Sequence, residues 1–184
     1  MKVFVNPGHC IQNDPGAIGL NGLREAEVAK SIGEYLQHEL ETMGHEVNVF
    51  QNDSLDEICQ RANEWGADLF VSIHCNAAEN RQAYGTEIWT YYGESLSDKA
   101  ATEILNSLSY AFADLFIRSD FSDGDADKES GFYVLKHTAM PAVLIETAFI
   151  SNPYEEQFLS SKSNQQYIAI AIADGICNYF DNQF

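Results

Sequence analysis

Four residues stand out by type and position: His9, Glu25, His74 and Glu146. Two imidazoles and a carboxylate are ordinary zinc ligands, and three protein ligands leave a fourth tetrahedral position open, which is the mark of a catalytic rather than a closed structural site. A second carboxylate beside such a site could take a proton from a water as it attacks a carbonyl and pass it to the leaving amine. Glu146 suits that part because it follows an apolar run, Ala142 to Ile145, and burial raises a carboxyl pKa toward a useful value.

These residues matter only if the fold brings them together. The stretch Val3 to Glu25 starts as a short apolar strand, breaks into a loop rich in Asn, Pro, Gly and Asp, and ends at the start of a long helical pattern. His9 follows the strand end, and Glu25 falls in the first helical turn, where the helix dipole favours a carboxylate. The run DLFVSI at Asp68 to Ile73 has the composition of a buried parallel strand and delivers His74 at its carboxyl end. AVLI delivers Glu146 in the same way. In open α/β sheets, ligands bind beyond the carboxyl ends of the strands. If these strands are parallel, all four residues converge on one edge of the sheet.

The remaining pattern agrees with such a sheet. Helices are expected over Arg24 to Met43 before Gly44, from a Ser54 cap to Trp65, from a Ser97 cap to about Ile117, and over Gln165 to Phe180. The third of these would bury Ala101, Ile104, Leu105, Leu108, Phe112, Leu115 and Phe116. Further strands are expected over Lys2 to Asn6, His45 to Phe50, Thr86 to Tyr92 and Phe132 to Leu135. Alternating strands and helices with short connections predict a single α/β domain spanning residues 1–184, its twisted sheet mostly parallel with helices on both faces.

Composition narrows the partners. A formal net charge of −18 argues against nucleic acid and against anionic membrane surfaces, both of which are bound by Lys and Arg. No apolar run approaches the ~20 residues that span a bilayer, and Met1-Lys2 leads into a strand without the pattern of a signal peptide. A cytosolic protein, export by another route, or a domain cut from a longer secreted chain would all fit. A monomer is expected. The four cysteines are scattered without a CxxC pair and read as free thiols. Cys75 should point away from a metal held by His74, because side chains alternate along a strand, whereas Cys10, next to His9, remains a conceivable thiolate ligand. The acidic segment Arg118 to Ser130 reads as a solvated loop, since its acids do not match the EF-hand spacing of a calcium site. His38 and His45 read as surface residues, and Tyr133 as core in preference to a groove wall.

The chain resembles the zinc-dependent N-acetylmuramoyl-L-alanine amidases of the bacterial cell wall, the type that includes autolysins and phage endolysins. The matching pieces are NPGH at Asn6 to His9, DPGAIG at Asp14 to Gly19, GLRE at Gly22 to Glu25, SIHCNA at Ser72 to Ala77, GFYVLKHTAMPAVLIETAFISNP at Gly131 to Pro153, and EEQFL at Glu155 to Leu159. Together they cover nearly the whole chain. The resemblance implies one Zn2+ held by His9, Glu25 and His74, with Glu146 as the catalytic glutamate. The implied reaction cuts the amide between N-acetylmuramic acid and the L-alanine of the peptidoglycan stem peptide, at the cell wall. The strong acidity, on an anionic wall, predicts help from a separate wall-binding module or activity that rises with salt. Asn76 and His137 flank the motifs and are candidates for contacting substrate. An inactive peptidoglycan-binding module, or a zinc peptidase acting on the stem, are the competing functions. The chain departs from the family's pattern at Asn6, where an Asp is usual, and at Cys10-Ile11 in place of two glycines. One extra residue also separates His9 from Asp14. The loss of the Asp implies weaker support for the first histidine. The acidic loop replaces a basic stretch, which implies different substrate contacts, and the lack of an inserted inhibitory helix implies an open groove.

Overall fold

The structure is a computed structural model that describes residues 1–93, 95–112, 116–122 and 124–182. Six strands form one sheet in the order β2-β1-β3-β6-β4-β5. They are β1 (Lys2–Pro7), β2 (Glu46–Val49), β3 (Leu69–Asn76), β4 (Glu87–Thr90), β5 (Lys128–Glu129) and β6 (Ala142–Phe149). β2, β1, β3 and β6 run parallel, β4 is antiparallel to β6, and β5 is parallel to β4. The mostly parallel α/β sheet expected from the alternating pattern is the observed architecture.

Helices cover both faces. On one side α1 (Glu25–Thr42), α3 (Leu96–Ala111) and α6 (Lys162–Asp181) pack through Val28, Ile32, Leu36, Ile104, Leu108, Ile172 and Ile176 against Val3, Val5, Val71, Ile73, Val143 and Ile145. On the other, α2 (Leu55–Trp65) and the short α4 (Tyr133–His137) bring Ile58, Ala62, Val134 and Leu135 onto Phe4, Phe70 and Leu144. The alternation of Val3, Val5 against Phe4, and of Val71, Ile73 against Phe70, divides each central strand between the two layers. Such strands, apolar on both faces, can only be interior ones.

Four expectations change. FYVL does not form a strand: Val134 and Leu135 are adjacent and both buried against the α2 layer, which one helical turn allows and a strand, with alternate residues on opposite faces, does not. Helix α3 starts earlier, because Ser95 and Asp98 close a reciprocal capping box. It also stops at Ala111; Phe116 is 47% exposed, and Ile117 bridges Thr86 beside the sheet. Leu115 lies outside the described residues. A further helix, α5 (Pro153–Ser160), follows Asn152, whose side chain accepts from the Tyr154 and Glu155 N–H groups, with Pro153 at the position where its missing N–H costs nothing. Finally, the acidic segment is not simply a solvated loop. Its end forms β5, and Asp127 is buried at 2% exposure; Asp123 lies outside the described residues.

Helix α5 has a second task. Glu156, 1% exposed, reaches the loop before α1. Its Oε1 accepts from the Asn21 N–H (2.7 Å) and the Leu23 N–H (3.4 Å), and its Oε2 from the Asn21 side-chain amide (2.9 Å). Gly19 packs so closely on this carboxylate that a β-carbon would overlap it. Truncation by Glu156→Ala leaves three donors of the loop without their acceptor. It should lower unfolding free energy by roughly 2–4 kcal/mol, read as a reduced urea midpoint with an unchanged slope.

Candidate metal centre

Strand β1 ends at Pro7, and the chain turns sharply through Gly8 into His9. His9 holds φ at +61°, a left-handed conformation that costs a non-glycine residue roughly 1–3 kcal/mol. The strain points its ring at Glu25, the first residue of α1. His9 Nε2 lies 3.2 Å from Glu25 Oε2, and His74 Nδ1, from β3, lies 3.0 Å from Glu25 Oε1. The same carboxylate accepts the Ala17 and Cys75 N–H groups at 2.9 and 3.0 Å. The two imidazoles stand nearly perpendicular, centroids 5.2 Å apart. A β-carbon on Gly16 would come within 2.6 Å of the His9 ring and 2.7 Å of Glu25 Oε2, so the loop closes over these side chains only because glycine stands there.

One donor atom each from His9, Glu25 and His74 lies within 4.8 Å of the other two. Two imidazole nitrogens and a carboxylate oxygen facing a common point fit a zinc ion. The electrostatics agree. Burial pushes the Glu25 carboxyl up, but the hydrogen bonds from His74 and His9 outweigh it and hold it well below the usual carboxylate range. Glu25, assisted by Asp14 and opposed by burial, raises His9 to about 9. The site is thus built to hold positive charge.

The support that Asn6 was expected to lose comes from elsewhere. Asp14 Oδ2 lies 2.7 Å from His9 Nδ1, which fixes the ring and leaves Nε2 facing Glu25. Asp14 is itself held below its usual range by that hydrogen bond and by the Gly16 N–H. Asn6 is structural. It is 2% exposed, donates to the Phe50 and Pro7 carbonyls, and accepts from the Ser72 hydroxyl, so it joins the ends of β1, β2 and β3.

Glu146 pairs in register with His74 on one side and with Glu87 of β4 on the other. Its Oε2 is buried and has no hydrogen-bond partner. Burial pushes this carboxyl up to about 7; His74 pulls it down, while Glu25 and Glu87 reinforce the rise. Glu146, His74, His9 and Asp14 line one cleft of about 380 Å³, whose opposite wall is Leu55, Ile58, Phe132, Tyr133 and Val134. Tyr133 is therefore a groove wall and not core; its hydroxyl donates to Asp56 and ties α4 to α2. Glu87 had no motif to announce it, although a charged residue inside an apolar strand was a usable signal. It is 5% exposed, receives Lys128, Arg118 and the Asn76 amide, and so anchors the strand beside Glu146.

The other candidates fall away from the cleft lining. Asn76 spends its amide on Glu87. His137 is exposed and stacks on Tyr133 at 3.9 Å between centroids. The Cys10 thiol donates to Gln12 and takes no part in the His–Glu–His group. Cys75 is buried in the core with its sulfur 3.6 Å from the Thr147 hydroxyl, as strand alternation required. A register shift between His74 and Asn76 marks a bulge where β3 meets the site.

Residues 3–178 match the family described as N-acetylmuramoyl-L-alanine amidase. The chain belongs to that family. It is 36% identical to the amidase LytC of Bacillus subtilis over 97% of its own length but only 35% of LytC's, and 30% identical to the amidase AmiA of Escherichia coli over 98% of its length and 78% of AmiA's. The solved amidase AmiC2 of Nostoc punctiforme superposes with a TM-score of 0.88 at 28% identity, covering 98% of this chain and 97% of that one. An amidase from Clostridium difficile 630 gives 0.87 at 29% identity, covering 100% and 98%. Within the amidase fold seen here, Asp14→Asn keeps the size of the side chain and removes its charge from His9. It should weaken zinc binding about 10- to 100-fold, measured by competition with a chromophoric chelator, with little change in the urea midpoint.

Proposed function

We propose that the protein hydrolyses the amide between the lactyl group of N-acetylmuramic acid and the L-alanine of the stem peptide, using one zinc ion held by His9, Glu25 and His74. The observation that carries this reading is the unpartnered carboxylate oxygen of Glu146 in the same cleft as the three ligands. Family membership supplies the substrate class. When bound, the ion supplies Lewis acidity to the reacting water and carbonyl.

The chain's own residues do the rest. Glu146 takes the proton of the attacking water and returns it to the leaving amine. A carboxyl that titrates near 7 is suited to both halves of that transfer. Glu87, paired with Lys128 and Arg118, keeps β4 in register beneath it. Asp14 holds the His9 ring in place. The cleft offers an apolar wall at Leu55, Ile58 and Phe132 and polar groups at Asn52 and Asp53, a surface suited to an extended peptide on a sugar strand.

The place of action is the bacterial cell wall. The chain spans about a third of LytC, which favours a separate wall-binding module in the complete system. No helix among the described residues is long and apolar enough to cross a membrane.

Mass spectrometry of digested, purified peptidoglycan tests the reading. Free stem peptides beginning with L-alanine are expected, and chelation should abolish them. Glu146→Gln should lower turnover by about 10²- to 10⁴-fold while zinc stays bound. Sugar-linked peptides cut further along the stem would make the protein a peptidase, and pelleting with the wall without products would make it a binding module. Because the chain carries a formal charge of −18 and the wall is anionic, hydrolysis should rise as salt is increased toward physiological strength and screens the repulsion; a fall would refute that electrostatic account.

A further inference from the structure

A second group of acidic side chains lies on the far side of β4 from Glu146. Asp98 comes from the first turn of α3, Asp125 from the segment before β5, and Asp127 from the residue that precedes β5. One carboxylate oxygen from each lies within 4.8 Å of the other two. Acidic clusters on a surface are common, but this one reaches inward from half-buried Asp98 and Asp125 to a buried member. Asp127 is 2% exposed. Thr90 donates to its Oδ2, and its Oδ1 is buried without any partner; Oδ1 of Asp125 is likewise buried and unpartnered. Among the described residues, no Lys, Arg or His forms an ion pair with any of the three. Lys128, next in sequence, turns away to Glu87.

Two buried acceptor oxygens facing like charges lack what such groups require, a donor or a cation. We propose that Asp98, Asp125 and Asp127 form a binding site for a calcium ion, separate from the His–Glu–His centre. The donor set is all oxygen, which selects hard cations over zinc, and calcium tolerates the irregular, carboxylate-rich geometry that magnesium does not. The ion would fasten three segments, the start of α3, the acidic turn and the β4–β5 edge. Lys128, which braces Glu87 opposite Glu146, would be held in place with them.

The test is calcium titration of the zinc-loaded protein, by calorimetry and by thermal unfolding, with no hydrolysis assay involved; its failure would leave the amidase reading intact. One calcium per chain is expected, with Kd on the order of 10⁻⁵ to 10⁻³ M. At 100-fold excess over Kd, Tm should rise by about 5–10 °C. Asp127→Asn and Asp125→Asn should each abolish the binding heat and the rise in Tm, while calcium-free Asp127→Asn melts no lower than the parent because the like-charge repulsion is gone. The exposed Glu79→Gln should respond as the parent does. No heat and no shift, an equal shift from sodium chloride of matched ionic strength, or unchanged binding in both Asp variants would each overturn the proposal.

Discussion

Glu25 is a carboxylate almost wholly withdrawn from water, and burial alone would drive it to protonate. It stays ionised because four donors surround it: two imidazoles and the N–H groups of Ala17 and Cys75. Those donors come from the β1 loop, the turn before α1 and the end of β3. The charge of one side chain therefore depends on three separate backbone segments lying at hydrogen-bond distance. The dependence runs the other way too. The left-handed backbone at His9 is strained, and the contacts of its ring with Glu25 and Asp14 hold it there.

The sheet turns this local arrangement into a working cleft. Parallel β1, β3 and β6 end on one edge, so His9, His74 and Glu146 emerge side by side, and the dipole of α1 places its positive end beneath Glu25. β4 reverses direction next to β6. That reversal sets Glu87 directly across from Glu146, with its own counter-charges. The two glutamates thus have different fates in adjacent strands. Glu87 has cations and an amide to satisfy it, while Glu146 is left with a buried oxygen and an elevated pKa. The apolar wall from α2 and α4 closes the other side of the cleft.

Much of this was legible in the chain. Apolar strands announced themselves by composition, and a ligand-type residue followed each of three apolar runs, so the convergence of His9, Glu25, His74 and Glu146 could be read from topology, although β3 and β6 run on past His74 and Glu146 instead of ending before them. What could not be read were features fixed by tertiary contacts. FYVL has the residues of a strand, but both Val134 and Leu135 must meet α2, and that selects a helix. Asn6 looked like a lost support for His9 because sequence spacing does not show that the longer loop brings Asp14 to the same nitrogen. Asp127 looked solvated because its neighbours are acidic, yet pairing of β5 with β4 carries it inward. The roles of Glu87 and Glu156 could not be read locally, since their partners lie 31 or more residues away for Glu87 and more than 130 for Glu156, apart from the Asn76 amide.

The Glu156 clasp also bears on the order of events during synthesis. The loop that carries His9 is made early, but the carboxylate that secures it belongs to α5 and is separated from it by 135 residues. β6, which carries Glu146, is likewise inserted between β3 and β4 rather than added at an edge. Contacts of such long sequence separation form late, after the entropy of closing the intervening chain has been overcome. A growing polypeptide emerging from the ribosome thus has His9 and Glu25 without a clasp and a half-sheet without Glu146. The assembled cleft therefore exists only once nearly all of residues 1–182 have been translated.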